Sequence, residues 1–437
     1  MEKRYKKGIV LCLILSVFLT LCGCETLITT PDNLLSPPEL SGEMRPINEA
    51  LAKSVTEEYK LCYPSGGNLR SPIVLEDVDG DGVKEAFAFY ITDNGDGTNM
   101  HINFIKKTNK GWKSIADNIV TAGGIEKIEF SDISNDGQKE IIVGWEIFGS
   151  AQKELGIYSV MNGGLYERLM ANYTNFVCTD ISGDKVPELL LHYLDTEEER
   201  NTVSVYTLSP TGVSQTAGCT LDNKVKTSAE PIVSKLSNGK AAIFIDEEKA
   251  NGNITEVLFM EDGELINPLL DKETGENITT NRSANIASSD IDNDGTVEIP
   301  IFIDAPAAAG TNEKFYFTNW CSFDGKELTV KKTTVINQID GYYLDLPTKL
   351  IDKIAISRDT DKRTRSFYDY DKETNKVGKK MFTVTAISAA KYDNFAKSNK
   401  NTHVIYKDEE NVFVTEIFVG GSKFSVHDIR EMFNVIE

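Results

Sequence analysis

The feature that most constrains this chain is an acidic turn of nine residues with an apolar run directly behind it, because it recurs. Asp77, Asp79 and Asp81 alternate ahead of Gly82, Glu85 closes the turn, and Ala86-Phe87-Ala88-Phe89-Tyr90 follows. The second copy has Asp132, Ser134, Asp136 and Glu140, and the third has Asp180, Ser182, Asp184 and Glu188. The fourth has Asp290, Asp292, Asp294 and Glu298, and each of the three is again followed by an apolar run. Side-chain oxygens at alternate positions, a backbone carbonyl at the seventh and a carboxylate at the ninth can converge on one hard cation such as calcium. The carbonyls in question belong to Val83, Gln138, Val186 and Thr296. A turn this tight needs positive φ, which Gly82, Gly137 and Gly295 supply, while the third copy has Lys185 in that place. The helical calcium loop carries its last acid three residues later and lies between helices, so this device joins strands instead.

Counted from the first Asp, the copies start at 77, 132, 180 and 290, with gaps of 55, 48 and 110. The last gap predicts a hidden copy near 235, where Lys235-Leu236-Ser237-Asn238-Gly239-Lys240 keeps the frame without the acids, so no metal is expected there. A hairpin signal falls 24 to 30 residues past each turn, at Asn109-Lys110-Gly111, Asn162-Gly163, Thr211-Gly212, Asp262-Gly263 and Asp324-Gly325. A further step of 55 reaches Asp345 in a sixth unit without the acidic loop, with Gly378 near the hairpin place. Units of about four strands at this period predict an all-β fold, a β-propeller of four-stranded blades.

The acidic loop within a β-repeat of this length resembles the FG-GAP/VCBS repeat of integrin-α-type propellers, over about residues 65 to 380. With the N-terminus described below, the chain resembles VCBS-repeat lipoproteins of Gram-positive bacteria. The resemblance implies calcium held on one rim as a structural staple, and commonly seven blades, six being the alternative. It makes the acids, Ser134, Ser182 and the four carbonyls listed above the metal ligands. Two departures bear on affinity. The ninth residue is Glu in all four copies, where the family usually has Asp, and Lys185 brings a positive charge to the third loop. The first and fourth loops, with four acids each, should therefore bind tightest and the third weakest.

Residues 1–23 read as a lipoprotein signal peptide: Lys3, Arg4, Lys6 and Lys7, an apolar run from Gly8 to Leu21, then Leu21-Cys22-Gly23-Cys24. The last four residues resemble a lipobox, which makes Cys24 the lipid-modified first residue of the mature chain and places the protein on the outer face of the cell membrane. Residues 24–46, with Pro31, Pro37, Pro38 and Pro46, form a tether. Ile47 to Tyr59 has the spacing of a short amphipathic helix, and the propeller is assigned to 47–380. The full chain carries a net charge of −21, and loss of the first 23 residues, at +3, leaves −24. A surface this acidic repels nucleic acid and anionic lipid. Cys62, Cys178, Cys219 and Cys321 are scattered and read as free thiols, and His192, inside an apolar run, as a satisfied core residue.

Residues 381–437 change texture into an α+β segment that closes or caps the propeller. A helix is predicted near Ala389 to Ala396, strands at His403–Tyr406 and Val412–Val419, and a final helix capped by Ser425 and Asp428 with Ile429, Met432, Phe433 and Ile436 along one stripe. No nucleophile elbow, phosphate-cradling loop or zinc-protease motif is present. The sequence thus favours a non-enzymatic, membrane-tethered propeller that binds a protein or glycan partner. The alternative is a carbohydrate-active propeller, a glycosidase or lyase, with paired carboxylates in its channel.

Overall fold

The apolar runs behind the acidic turns are nearly continuous because each of them is buried on two faces. Ile141 and Val143 point to one neighbouring sheet and Ile142 to the other; Leu189 and Leu191 divide from Leu190, and Ala242 and Phe244 from Ile243 and Ile245, in the same way. The computed structural model describes residues 42, 44–92, 99–308, 313–418, 420 and 424–436. The signal peptide, the tether and Cys24 lie outside the described residues.

Among the described residues six antiparallel sheets follow one another along the chain. The second is the simplest: Gly124–Ser131, Glu140–Glu146, Lys153–Met161 and Gly164–Tyr173 pair in chain order. The third repeats it with Asn175–Thr179, Glu188–Asp195, Arg200–Ser209 and Gly212–Thr220. In the first and fourth sheets the leading strand is split in two, as Tyr59–Leu61 and Ile73–Glu76, and as Val225–Ser228 and Ile232–Lys235. One buried apolar cluster joins each consecutive pair, from the first and second sheets to the fifth and sixth. These blades, stacked face to face, make the β-propeller the repeat predicts.

The two terminal faces are covered by helices. Helix α1, Met44–Ser54, lays Ile47, Ala50 and Leu51 on Ala86, Ala88 and Tyr90 of the first sheet. The small alanines leave room for the helix, while Phe87 and Phe89 face the second sheet. Helix α2, Ala389–Ser398, packs Tyr392 and Phe395 on Ile387, Val412 and Val414 of the sixth. Among the described residues no apolar cluster joins the sixth sheet to the first.

All five hairpin signals are turns, closed by the pairs Thr108 with Gly111, Met161 with Gly164, Ser209 with Gly212, Glu261 with Glu264 and Phe323 with Leu328. The sixth differs. Its turn is closed by Asp371 and Lys376, with Asn375 at φ 53°, and Gly378 lies inside the strand Lys376–Ser388. That strand runs through residue 380, where the tail was expected to begin. Among the described residues the tail builds no seventh blade: Thr402–Lys407 and Asn411–Ile417 extend the sixth sheet, and Phe433–Val435 extends the fifth. Tyr342–Asp345, expected to open the sixth unit, is likewise an outer strand of the fifth. The final helix α3, Val426–Met432, has the capping box of Ser425 and Asp428, and its Ile429 and Met432 dock in the cluster between the fifth and sixth sheets. The four described cysteines are free.

Candidate metal-binding loops and a buried polar network

The first three acidic loops join two strands at one end of their sheets, the fourth is closed by the Ser289–Glu298 bridge and leads into Ile299–Ala305, and the four share one backbone frame. The first Asp accepts from the sixth residue's N–H: Gly82 to Asp77 at 3.0 Å, Gly137 to Asp132 at 3.0 Å, Lys185 to Asp180 at 2.9 Å and Gly295 to Asp290 at 2.8 Å. The seventh residue's N–H, from Val83, Gln138, Val186 or Thr296, donates to the fifth residue's carboxylate at 2.8 to 2.9 Å. The ninth residue turns back into the loop. Glu85, Glu140, Glu188 and Glu298 are all buried, and each accepts the second residue's N–H, from Val78, Ile133, Ile181 or Ile291, at 3.0 to 3.2 Å. Neighbouring loops also touch, since Lys139 N–H donates to the Val78 carbonyl at 2.8 Å.

Three loops bring three carboxylates within 4.8 Å of one another: Asp77, Asp79 and Glu85; Asp180, Asp184 and Glu188; Asp290, Asp292 and Asp294. Among the described residues the second loop offers no such trio, and there Ser134 Oγ leans on Asp132 at 3.4 Å. Ser182 is exposed on the third loop. An all-oxygen donor set of this kind suits a hard cation. Glu85 Oε1 is buried without a hydrogen-bond partner, with the Lys106 ammonium 3.5 Å away as its nearby cation. Burial pushes the carboxyls of Glu85 and Glu298 up, and that of Glu140 up to about 7; neighbouring loop aspartates add to each. A bound cation would favour their ionised forms.

Two lysines enter this chemistry that the repeat does not signal. The Lys106 ammonium pairs with Asp79 and lies 3.5 Å from Glu85, and Lys331 lies 3.3 Å from Asp294. They stand on non-equivalent strand positions, so no periodicity marks them. The ligand-free copy keeps the frame: Gly239 has φ 87°, close to the 84° of Gly82, and Lys240 N–H donates to Asn238 Oδ1 at 3.0 Å.

Sequence reasoning also misses a polar network inside the fourth sheet and its borders. Asp222, Glu247 and Glu256 are each at most 2% exposed. Lys249 bridges Asp222 at 2.6 Å and Glu276 at 2.9 Å; Asn267 and Asn277 donate to Glu256 at 3.0 Å. The Arg282 guanidinium meets Asp246 at 2.8 Å, Thr255 Oγ1 at 2.9 Å and the Ile286 carbonyl at 2.7 Å. His192 is only half satisfied: Nε2 bonds Asn201 Oδ1 at 2.7 Å, while buried Nδ1 has no partner. Asn201 passes the contact to Glu247 at 3.0 Å. Burial drives the Glu247 carboxyl well up and the His192 imidazole down to about 4.

No family model matches the chain, and no curated protein does. Solved structures do. A periplasmic gluconolactonase of Pseudomonas aeruginosa aligns at 11% identity and TM-score 0.29 over 72% of this chain and 86% of its own. The exotype rhamnogalacturonan lyase YesX aligns at 10% and 0.29 over 79% and 72%, and the Dos1 propeller at 8% and 0.27 over 85% and 83%. The fold assignment rests on the six sheets themselves.

Proposed function

We propose that this chain is a lipid-anchored, calcium-stapled propeller of the FG-GAP/VCBS type, acting outside the cell as a binding module for a protein or glycan partner. The observation that carries the reading is the fourfold loop frame at one end of the blades, with acids of the first, third and fourth loops converging and a buried Glu fixing every loop to its own backbone. Calcium would be held by the loop carboxylates and would supply positive charge that holds the acids of each loop together. Membrane attachment through Cys24 follows from the lipobox-like N-terminus; among the described residues no helix is long and apolar enough to cross a membrane. Catalysis is second in rank. Glu247 and Glu256 are buried carboxyls outside the loops, but both are enclosed by hydrogen bonds to Asn201, Asn267 and Asn277.

The test is thermal unfolding of the purified chain with calcium, with magnesium and with chelator, beside elemental analysis. A calcium-specific rise in Tm that shrinks in Asp79→Ala supports the staple. No bound calcium and no shift would end the metal assignment. Labelled lipid incorporation that survives Cys24→Ala would end the anchor.

A further inference from the structure

We infer that a small pocket between the fifth and sixth blades, at the end of the sheets away from the acidic loops, binds a monosaccharide acid of the uronate type. The inference goes beyond the calcium reading and does not depend on it, because the pocket shares no residue with the loops.

The pocket holds about 200 Å³. That is the share of roughly seven waters at about 30 Å³ each, room for one small ring. Its charged lining is Arg358, Arg365, Lys314 and Glu313, a net positive set in a chain of net charge −21. Arg365 carries the argument. It is 8% exposed, its Nη1 donates to the Ile336 carbonyl at 2.7 Å, and its Nε has no hydrogen-bond partner. Among the described residues no carboxylate forms an ion pair with it; burial lowers its pKa from the usual guanidinium range, and the Glu313 and Asp340 carboxylates, each paired with another arginine, offset this only in part. A buried charge whose nearby carboxylates are engaged elsewhere is costly, and arginine meets a carboxylate through paired N–H donors. Arg358 sits beside it, with Nη2 on Glu313 at 2.9 Å and its own Nε buried and unpartnered.

The other wall selects what carries the anion. Phe302 and Tyr316 stack with centroids 5.2 Å apart and planes at 28°, and both line the pocket while remaining only partly buried. An aromatic pair beside a cationic pair suits a ligand with an apolar face and one carboxylate, and the C–H face of a sugar acid is such a surface. A free inorganic oxyanion has the charge without the face.

Calorimetric titration of the purified chain tests this with galacturonate as the probe, and with galactose, acetate and inorganic phosphate as comparators. Galacturonate should bind at least tenfold more tightly than each comparator. Arg358→Gln and Phe302→Ala should each weaken it tenfold or more while circular dichroism and Tm stay at the parent values. Arg358 is chosen because it is less enclosed than Arg365, so its loss should leave the fold intact. Affinity should be the same with calcium and with chelator, which separates failure of this pocket from failure of the loops. Absence of galacturonate binding to folded protein would overturn the inference. Equal binding of galactose would remove the arginines from it, and equal binding of phosphate would remove the sugar.

Discussion

The molecule handles acidic side chains in two ways, and the fourth sheet stands against its neighbours in this. In the acidic loops the aspartates gather at the rim and lean on backbone N–H groups, with Lys106 and Lys331 as the nearby protein cations. In the fourth sheet, where the loop has lost its acids, Asp222 and Asp246 go inside and each takes a resident cation, Lys249 or Arg282. The loop of that blade keeps the same turn through Gly239 and Asn238. Backbone geometry therefore does not depend on metal ligands, and the fourth blade, whose loop has lost its acids, carries two enclosed ion pairs. A cation-binding loop should make its stability depend on the medium; an internal pair should not.

The widest gap between the two regions should come from Arg282→Met. It removes the guanidinium from Asp246 and from the Ile286 and Thr280 carbonyls, leaving a carboxylate mostly enclosed without its counter-charge. The expected loss is about 3–5 kcal/mol by urea unfolding, equal with and without calcium. A loss that calcium repairs would erase the distinction between the regions.

Next is pH. His192 is held neutral by burial, its pKa lowered from 6.5 to about 4. Above pH 6.5 folded and unfolded chains are both neutral at this residue; as pH falls toward 4 the unfolded chain gains a proton that the folded chain refuses. Acidification should therefore cost up to about 3 kcal/mol across that window. Glu247, raised by burial, runs the opposite way, favouring the fold below the ordinary carboxylate range and losing that advantage as pH rises. The clean readout is the difference between the parent and His192→Asn stability profiles from pH 4 to 7. A flat difference would mean that the imidazole titrates in the fold as it does in the unfolded chain.

The calcium comparison is finer. Each occupied loop should add roughly 2.7 kcal/mol at a hundredfold excess over its dissociation constant. Asp292→Asn should remove one such increment, and Asn238→Ala in the acid-free loop should remove none, both read as the calcium-dependent shift in urea midpoint. Loss of the increment in Asn238→Ala would show that the acid-free loop also binds.

Much of the fold was legible because its cause is local. The period, the turn glycines and the hairpin dipeptides each fix a backbone geometry within a few residues, and the apolar runs follow from burial on both faces. The blade count was not, because Tyr342–Asp345 and the tail strands are assigned by which edge they pair with, a tertiary choice. The network around Asp222 and Glu256 was invisible for the same reason: Asn201, Asn267 and Asn277 come from three separate segments and carry no spacing signal. Lys106 reaches the first loop from a strand beyond it, and Arg365 lies in the charged stretch from Arg358 to Arg365, which has no motif to single it out.

The smallest effect concerns the one acidic loop that departs from the glycine rule. Lys185 has φ 76°, beside 84° for Gly82 and Gly137 and 87° for Gly295. The left-handed conformation costs a residue with a Cβ roughly 1–2 kcal/mol, and Lys185 adopts it because the frame demands it: its N–H must reach Asp180 Oδ2 at 2.9 Å. That bond uses the backbone alone, so Lys185→Gly keeps it and removes the strain. Glycine also gives the unfolded chain more freedom, worth about 0.5–1 kcal/mol against the gain. The net rise should lie between zero and about 1.5 kcal/mol in chelator, where only the turn is read, and be larger in calcium if the lysine charge also opposes the cation. Gly295→Ala, which creates the same strain in the fourth loop, should lose stability under both conditions. If Lys185→Gly is neutral in chelator while Gly295→Ala is costly, the third loop has relaxed around its lysine, and the shared frame is a property of three loops and not of four.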